Sequence, residues 1–76
     1  MERLPRVRAL EVIRVLERRG FVLSRSHGSH RIYRHEETGR RVVVPYHARR
    51  IIPPGTMLNI LEQARLSREE FLELLR

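Results

Sequence analysis

The segment Gly28-Ser29-His30 carries the residue types best suited to chemistry in this sequence. Glycine lets a backbone approach a bound group closely or take a positive φ. Histidine ionises near neutral pH, so His30 can take a proton and return one within a single cycle. RNA cleavage without a metal needs this ability. A base removes the 2′-hydroxyl proton, the freed oxygen attacks the adjacent phosphorus, and an acid protonates the departing 5′-oxygen. Arg25, Arg31, Arg34 and Arg41 flank the segment, and guanidinium groups stabilise charge developing on a phosphate. Gly28 and Ser29 would meet the RNA beside them. On residue type alone, a single histidine is more often a surface or capping residue than a catalyst.

The remaining candidates are few. His47 follows Tyr46 and reads as a second proton-transfer group, an RNA contact or a plain loop residue. Tyr33 lies between Arg31 and Arg34; it can stack a base, act as an auxiliary group or simply fill a sheet. His27 and His35 read as solvent-facing. Arg49-Arg50 could contact phosphate or be a solvated loop. His27 and His30 are spaced plausibly for a metal, but the chain has no cysteine and no HExxH pattern, so no metal site is expected. It also lacks a phosphate-cradling glycine loop and a dinucleotide fingerprint, so no cofactor is expected.

The elements that must position these groups follow from periodicity and breakers. Pro5 suits a first helical turn, and Ala9, Val12, Ile13 and Leu16 recur at helical spacing, which predicts a helix over about residues 6–19, closed by Gly20. A strand begins at Phe21, a second runs Arg31-Ile32-Tyr33-Arg34, and a third runs Arg41-Val42-Val43-Val44 up to Pro45. Ser26-His27-Gly28-Ser29 and Glu36-Glu37-Thr38-Gly39 read as the turns between them. Thr56 can cap a helix that buries Met57, Ile60, Leu61 and Ala64. Ser67 and Glu70 form a capping box for a short final helix, with Leu66 and Phe71 as its hydrophobic staple. The expected fold class is α+β: a helix, a three-stranded antiparallel meander with one face covered, then two helices.

Length and charge bound the function. Seventy-six residues imply one domain spanning 1–76 with a thin core and any active site on a surface. All sixteen basic residues are arginine and the net charge is +7, which points first to nucleic acid, then to an acidic protein or an anionic membrane. No apolar run is long enough to span a membrane, and Met1 to Arg6 lacks the apolar core of a signal peptide. A cytoplasmic protein is the expectation.

Taken together, Gly20-Phe21, Gly28-Ser29-His30-Arg31-Ile32-Tyr33-Arg34-His35, Val44-Pro45-Tyr46-His47, Pro54-Gly55-Thr56, Ile60-Leu61-Glu62-Gln63-Ala64 and Leu66-Ser67-Arg68-Glu69-Glu70-Phe71 resemble HicA-type toxins, also called the YcfA-like family. The resemblance covers nearly the whole chain. It implies a fold like a double-stranded-RNA-binding domain, an intracellular toxin that cleaves messenger RNA, a HicB-type antitoxin as partner, and a catalytic histidine at His30. Two departures stand out. Arg65 occupies the place where the family commonly has a helix-ending glycine, which predicts a left-handed residue there. The start of the second helix also lacks the lysine-rich block with which double-stranded-RNA-binding domains grip their ligand. Three readings follow: a metal-independent endoribonuclease toxin; a basic RNA-binding module that does not cut, or a toxin that has lost its activity; and a domain whose basic face mainly docks an acidic partner.

Overall fold

A computed structural model describes residues 4–76. Met1, Glu2 and Arg3, part of the segment read for a leader, lie outside the described residues. The elements are α1 (Ala9–Arg18), β1 (Phe21–His27), β2 (His30–His35), β3 (Arg41–Pro45), α2 (Pro54–Ala64) and α3 (Arg68–Leu75). This is the α+β order expected from the sequence, with the strands in a three-stranded antiparallel sheet of order β1-β2-β3.

Helix α1 starts three residues later than its periodicity predicts. Val7 and Arg8 are used elsewhere: the Val7 carbonyl accepts from the Ile52 amide at 2.9 Å, and Arg8 forms an extended bridge with Ile51. These bonds tie the segment before α1 to the loop before α2. The Glu11 carboxylate then accepts the Arg8 amide at 2.9 Å, which satisfies a donor at the helix start. Pro5 therefore precedes the helix rather than opening it.

Helix α2 begins at Pro54, with Pro53 as its flanking residue, so Thr56 lies inside the first turn instead of capping it. Proline is preorganised for a first helical position and needs no donor there. At the other end Arg65 has φ 58° and ψ 42°. The Leu66 amide bonds to Leu61 O at 3.0 Å and the Arg65 amide to Glu62 O at 3.2 Å. This is a Schellman closure with its usual apolar pair, buried Leu61 and Leu66. The left-handed residue predicted at Arg65 is present. Helix α3 carries the predicted capping box: Ser67 Oγ accepts from the Glu70 amide at 3.0 Å and Glu70 Oε1 from the Ser67 amide at 2.9 Å.

The core lies between the helices and one face of the sheet. Val12, Val15 and Leu16 of α1, Met57, Ile60 and Leu61 of α2, and Phe71 of α3 are buried against Phe21, Tyr33, Val42 and Val44. Alternation along the strands sends the next residues the other way. On β2, Arg31 and His35 share the face of buried Tyr33, while His30, Ile32 and Arg34 point to the open face. On β3, Val42 and Val44 are buried and Arg41 and Val43 exposed. The register breaks between Leu23 and Arg25, leaving Ser24 as an extra residue. Such a bulge re-phases a strand, here turning Arg25 to the open face beside Ile32. The outer edge of β3 is partly closed by a side chain, since the Val43 amide donates to Gln63 Oε1 of α2 at 2.9 Å.

Candidate active site on the open face of the sheet

The turn Gly28-Ser29 joins β1 to β2 in two residues, with His27 paired directly to His30. Gly28 has φ +60° and Ser29 does not have a positive φ. Glycine at the first central position with φ above zero is the pattern of a II′ hairpin turn, which suits the twist of the flanking strands. A Cβ on Gly28 would meet nothing within 4 Å, so glycine is required here by backbone conformation, not by crowding. The turn is anchored from the far side of the sheet, where the Tyr46 amide donates to the Ser29 carbonyl.

His30 begins β2 and is exposed. Its partner on one side is His27 and on the other Pro45. Residues directly opposite in an antiparallel ladder share a face, with Cβ atoms roughly 5 Å apart. His27 and His30 therefore stand side by side on the open face. His27 is solvent-facing, as the sequence predicts. Its pairing with His30 is an addition that the spacing His27-Gly28-Ser29-His30 signals, since a two-residue hairpin loop places its flanking residues opposite one another.

Arg25, Arg34 and Arg41 occupy the same face. Arg34 pairs directly with Arg41, and Arg25 pairs with Ile32, one step from each histidine. Among the described residues none of the three has an ion-pair partner. Like charges set directly opposite one another are destabilising, and a bound anion relieves that repulsion. The face is thus a shallow, cationic surface with two imidazoles at one end.

Arg31 behaves differently from the other three. It lies on the helix-facing side, half-buried, with its guanidinium 3.8 Å from the centre of the Tyr46 ring. Its positive charge also acts on the Tyr33 hydroxyl. A cation stacked on an aromatic face is held by the ring quadrupole, so Arg31 fastens β2 to the chain leaving β3. Tyr33 is 2% exposed, so its ring fills the sheet and is not presented to a base. Burial raises its hydroxyl above the ordinary tyrosine value, with Arg31 pulling the other way. A buried phenol held in its protonated form is a poor base.

His35 is not simply solvated either. Its Nδ1 accepts the amides of Glu37 at 3.2 Å and Thr38 at 3.3 Å, and its Nε2 lies 3.1 Å from Arg19 O. With Nδ1 accepting, Nε2 is assigned as the donor to that carbonyl. The ring meets Phe21 edge-on at 5.1 Å, and a Cβ on Gly20, where φ is +100°, would come within 3.0 Å of it. His35 is thereby committed to joining the β2–β3 turn to the end of α1.

His47 lies past β3 in an exposed loop. It lines a cavity of about 290 Å³ with Pro45, Arg50, Ile51, Ile52, Pro53 and Thr56. Pro45 connects this cavity to His30 along the sheet surface, while Arg49 offers its carbonyl to Arg8 Nε at 3.4 Å. The described residues contain no group of three or more His, Asp or Glu side chains that could hold a metal ion. They contain no helix long and apolar enough to cross a membrane.

Among curated proteins, none matches this chain. A family model described as the HicA toxin of bacterial toxin–antitoxin systems matches residues 9–66.

Proposed function

The chain belongs to the HicA toxin family, and from that premise we propose that it is an endoribonuclease that cleaves messenger RNA with His30 as a general acid/base. Membership implies pairing with an antitoxin. We take the partner to be of HicB type and the site of action to be the cytoplasm. The observation that carries the reading is the position of His30: exposed at the first residue of β2, beside a tight turn, on an uncovered sheet face that also presents Arg25, Arg34 and Arg41.

The geometry suits the chemistry. A strand of single-stranded RNA laid along the open face brings its phosphates to the arginines, which hold them bidentately. An imidazole at the end of that track reaches a 2′-hydroxyl without entering a pocket. Transfer of the hydroxyl proton to the imidazole lets the 2′-oxygen attack phosphorus, and the arginines offset the charge gathering on the non-bridging oxygens. The bond from phosphorus to the 5′-oxygen breaks as an acid gives that oxygen a proton, which leaves a 2′,3′-cyclic phosphate and a free 5′-hydroxyl. This acid–base route needs no metal. The basic face also supports the partner reading, since an antitoxin that lays acidic side chains over Arg34 and Arg41 would cover His30 at the same time.

Induction of the native chain in growing cells is expected to arrest growth and fragment messenger RNA. His30→Ala should abolish both while leaving the circular dichroism spectrum and the melting temperature near native, because the side chain is exposed. A His30→Ala protein that stays toxic sinks this role. Native protein that binds RNA in a salt-sensitive way and leaves it intact supports the binding-module reading instead.

A further inference from the structure

We propose that His27 is the second catalytic group, the proton-transfer partner of His30 in the cleavage reaction; the inference rests on the nuclease reading above. The II′ turn sets His27 and His30 directly opposite on the open face, and both are exposed. The other candidates are placed less well. Tyr33 is buried, His35 is locked between three backbone partners, and His47 lies in the loop past the end of β3 and not on the ladder beside His30. Among the described residues His27 is thus the titratable side chain placed next to His30 on its own face. Its other charged neighbour along β1 on that face is Arg25; β3 contributes the uncharged Pro45, and the helices pack on the opposite side.

Two adjacent imidazoles meet the full proton balance of the reaction, which one does not meet at a single instant. One imidazole, neutral, takes the 2′-hydroxyl proton as the bond from the 2′-oxygen to phosphorus forms. The other, protonated, gives its proton to the 5′-oxygen as the bond from phosphorus to that oxygen breaks. No electron is gained or lost, and exchange with water restores the starting protonation states. Each ring extends beyond its own Cβ, so a pair with Cβ atoms roughly 5 Å apart can bracket one phosphodiester.

The test is cleavage of a labelled oligoribonucleotide by the full chain and by His27→Ala, His27→Gln and His27→Arg. Positioned acid–base groups contribute about 10²- to 10⁴-fold. The His27→Ala and His27→Gln proteins should lose kcat by that order, with KM near native and an unchanged melting temperature. One limb of the bell-shaped pH–rate profile should vanish. His27→Arg keeps positive charge but cannot shuttle a proton, so it should be equally impaired. On uridine 3′-(4-nitrophenyl phosphate), whose leaving group needs no proton, one of His27→Ala and His30→Ala should regain cleavage and the other should not. Near-native kcat in His27→Ala or His27→Arg, or the same response of both alanine variants to the aryl substrate, overturns the proposal. Failure of the native chain to cut any RNA overturns the nuclease reading itself, and the assignment of His27 falls with it.

Discussion

At the scale of single residues, the site is decided by which way each side chain is turned. Arg25, Arg34 and Arg41 project from the open face, whereas Arg31 is turned inward onto Tyr46. Sequence alone treated these four alike, because strand alternation cannot show which of Ile32 and Tyr33 faces the helices. The core decides it, since Tyr33 is buried on the helix-facing side of the sheet and carries Arg31 to that side. Arg65 shows the opposite case, in which the family resemblance was sufficient. The family's usual glycine at this helix end implied a left-handed residue at Arg65, and φ is 58° there. A side chain in that conformation costs roughly 1–2 kcal/mol. Arg65→Gly is therefore expected to stabilise the fold by about 1 kcal/mol in chemical denaturation, less whatever the unfolded chain gains in freedom. RNA cleavage should not change.

At the scale of elements, α3 depends on its capping box. Ser67→Ala should cost about 1 kcal/mol, measured by thermal or urea unfolding. The same box makes α3 sensitive to acid. Glu70 is held below its ordinary carboxylate value, first by the Ser67 amide and then by the Ser67 side chain, with Arg19 adding a smaller effect. A depressed carboxylate stabilises the fold above its unfolded value, and that contribution is lost as pH falls through the folded value. Unfolding followed between pH 6 and pH 2 should show a stability loss at the acid end that Glu70→Gln removes. The box, the three strands and the final helix were legible because their signals are local. The start of α1 was not, because Val7 and Arg8 are claimed by Ile51 and Ile52, more than forty positions away. The bulge at Ser24 leaves no composition cue, and the pairing of His27 with His30 is hidden because Ser26-His27-Gly28-Ser29 has the composition of a four-residue turn while the loop itself takes only Gly28 and Ser29.

At the scale of the molecule, charge and core size pull against each other. A chain this short buries roughly 60% of its unfolded surface, and a net charge of +7 adds self-repulsion. An anionic ligand relieves that strain, so binding should be strongly salt-dependent. Single-stranded nucleic acid loses affinity with a log–log slope of about −0.7 per neutralised phosphate. In the His30→Ala protein, which is expected to leave RNA intact, Arg34→Ala or Arg41→Ala should each flatten that slope by about 0.7. An unchanged slope in both would remove the open face from RNA binding.

The contact between Gln63 and the edge of β3 has a consequence of another kind. The Val43 amide is held by a helix side chain and not by a neighbouring strand. Its proton can exchange with deuterated solvent once α2 lifts from the sheet, even while the ladder between β2 and β3 stays closed. Exchange at this one position therefore times the opening of α2 separately from global unfolding. Gln63→Ala should make Val43 exchange fast and leave the Tyr33 and Val44 amides slow. If a partner protein clamps α2 in place, the Val43 proton should slow without any contact to β3 itself.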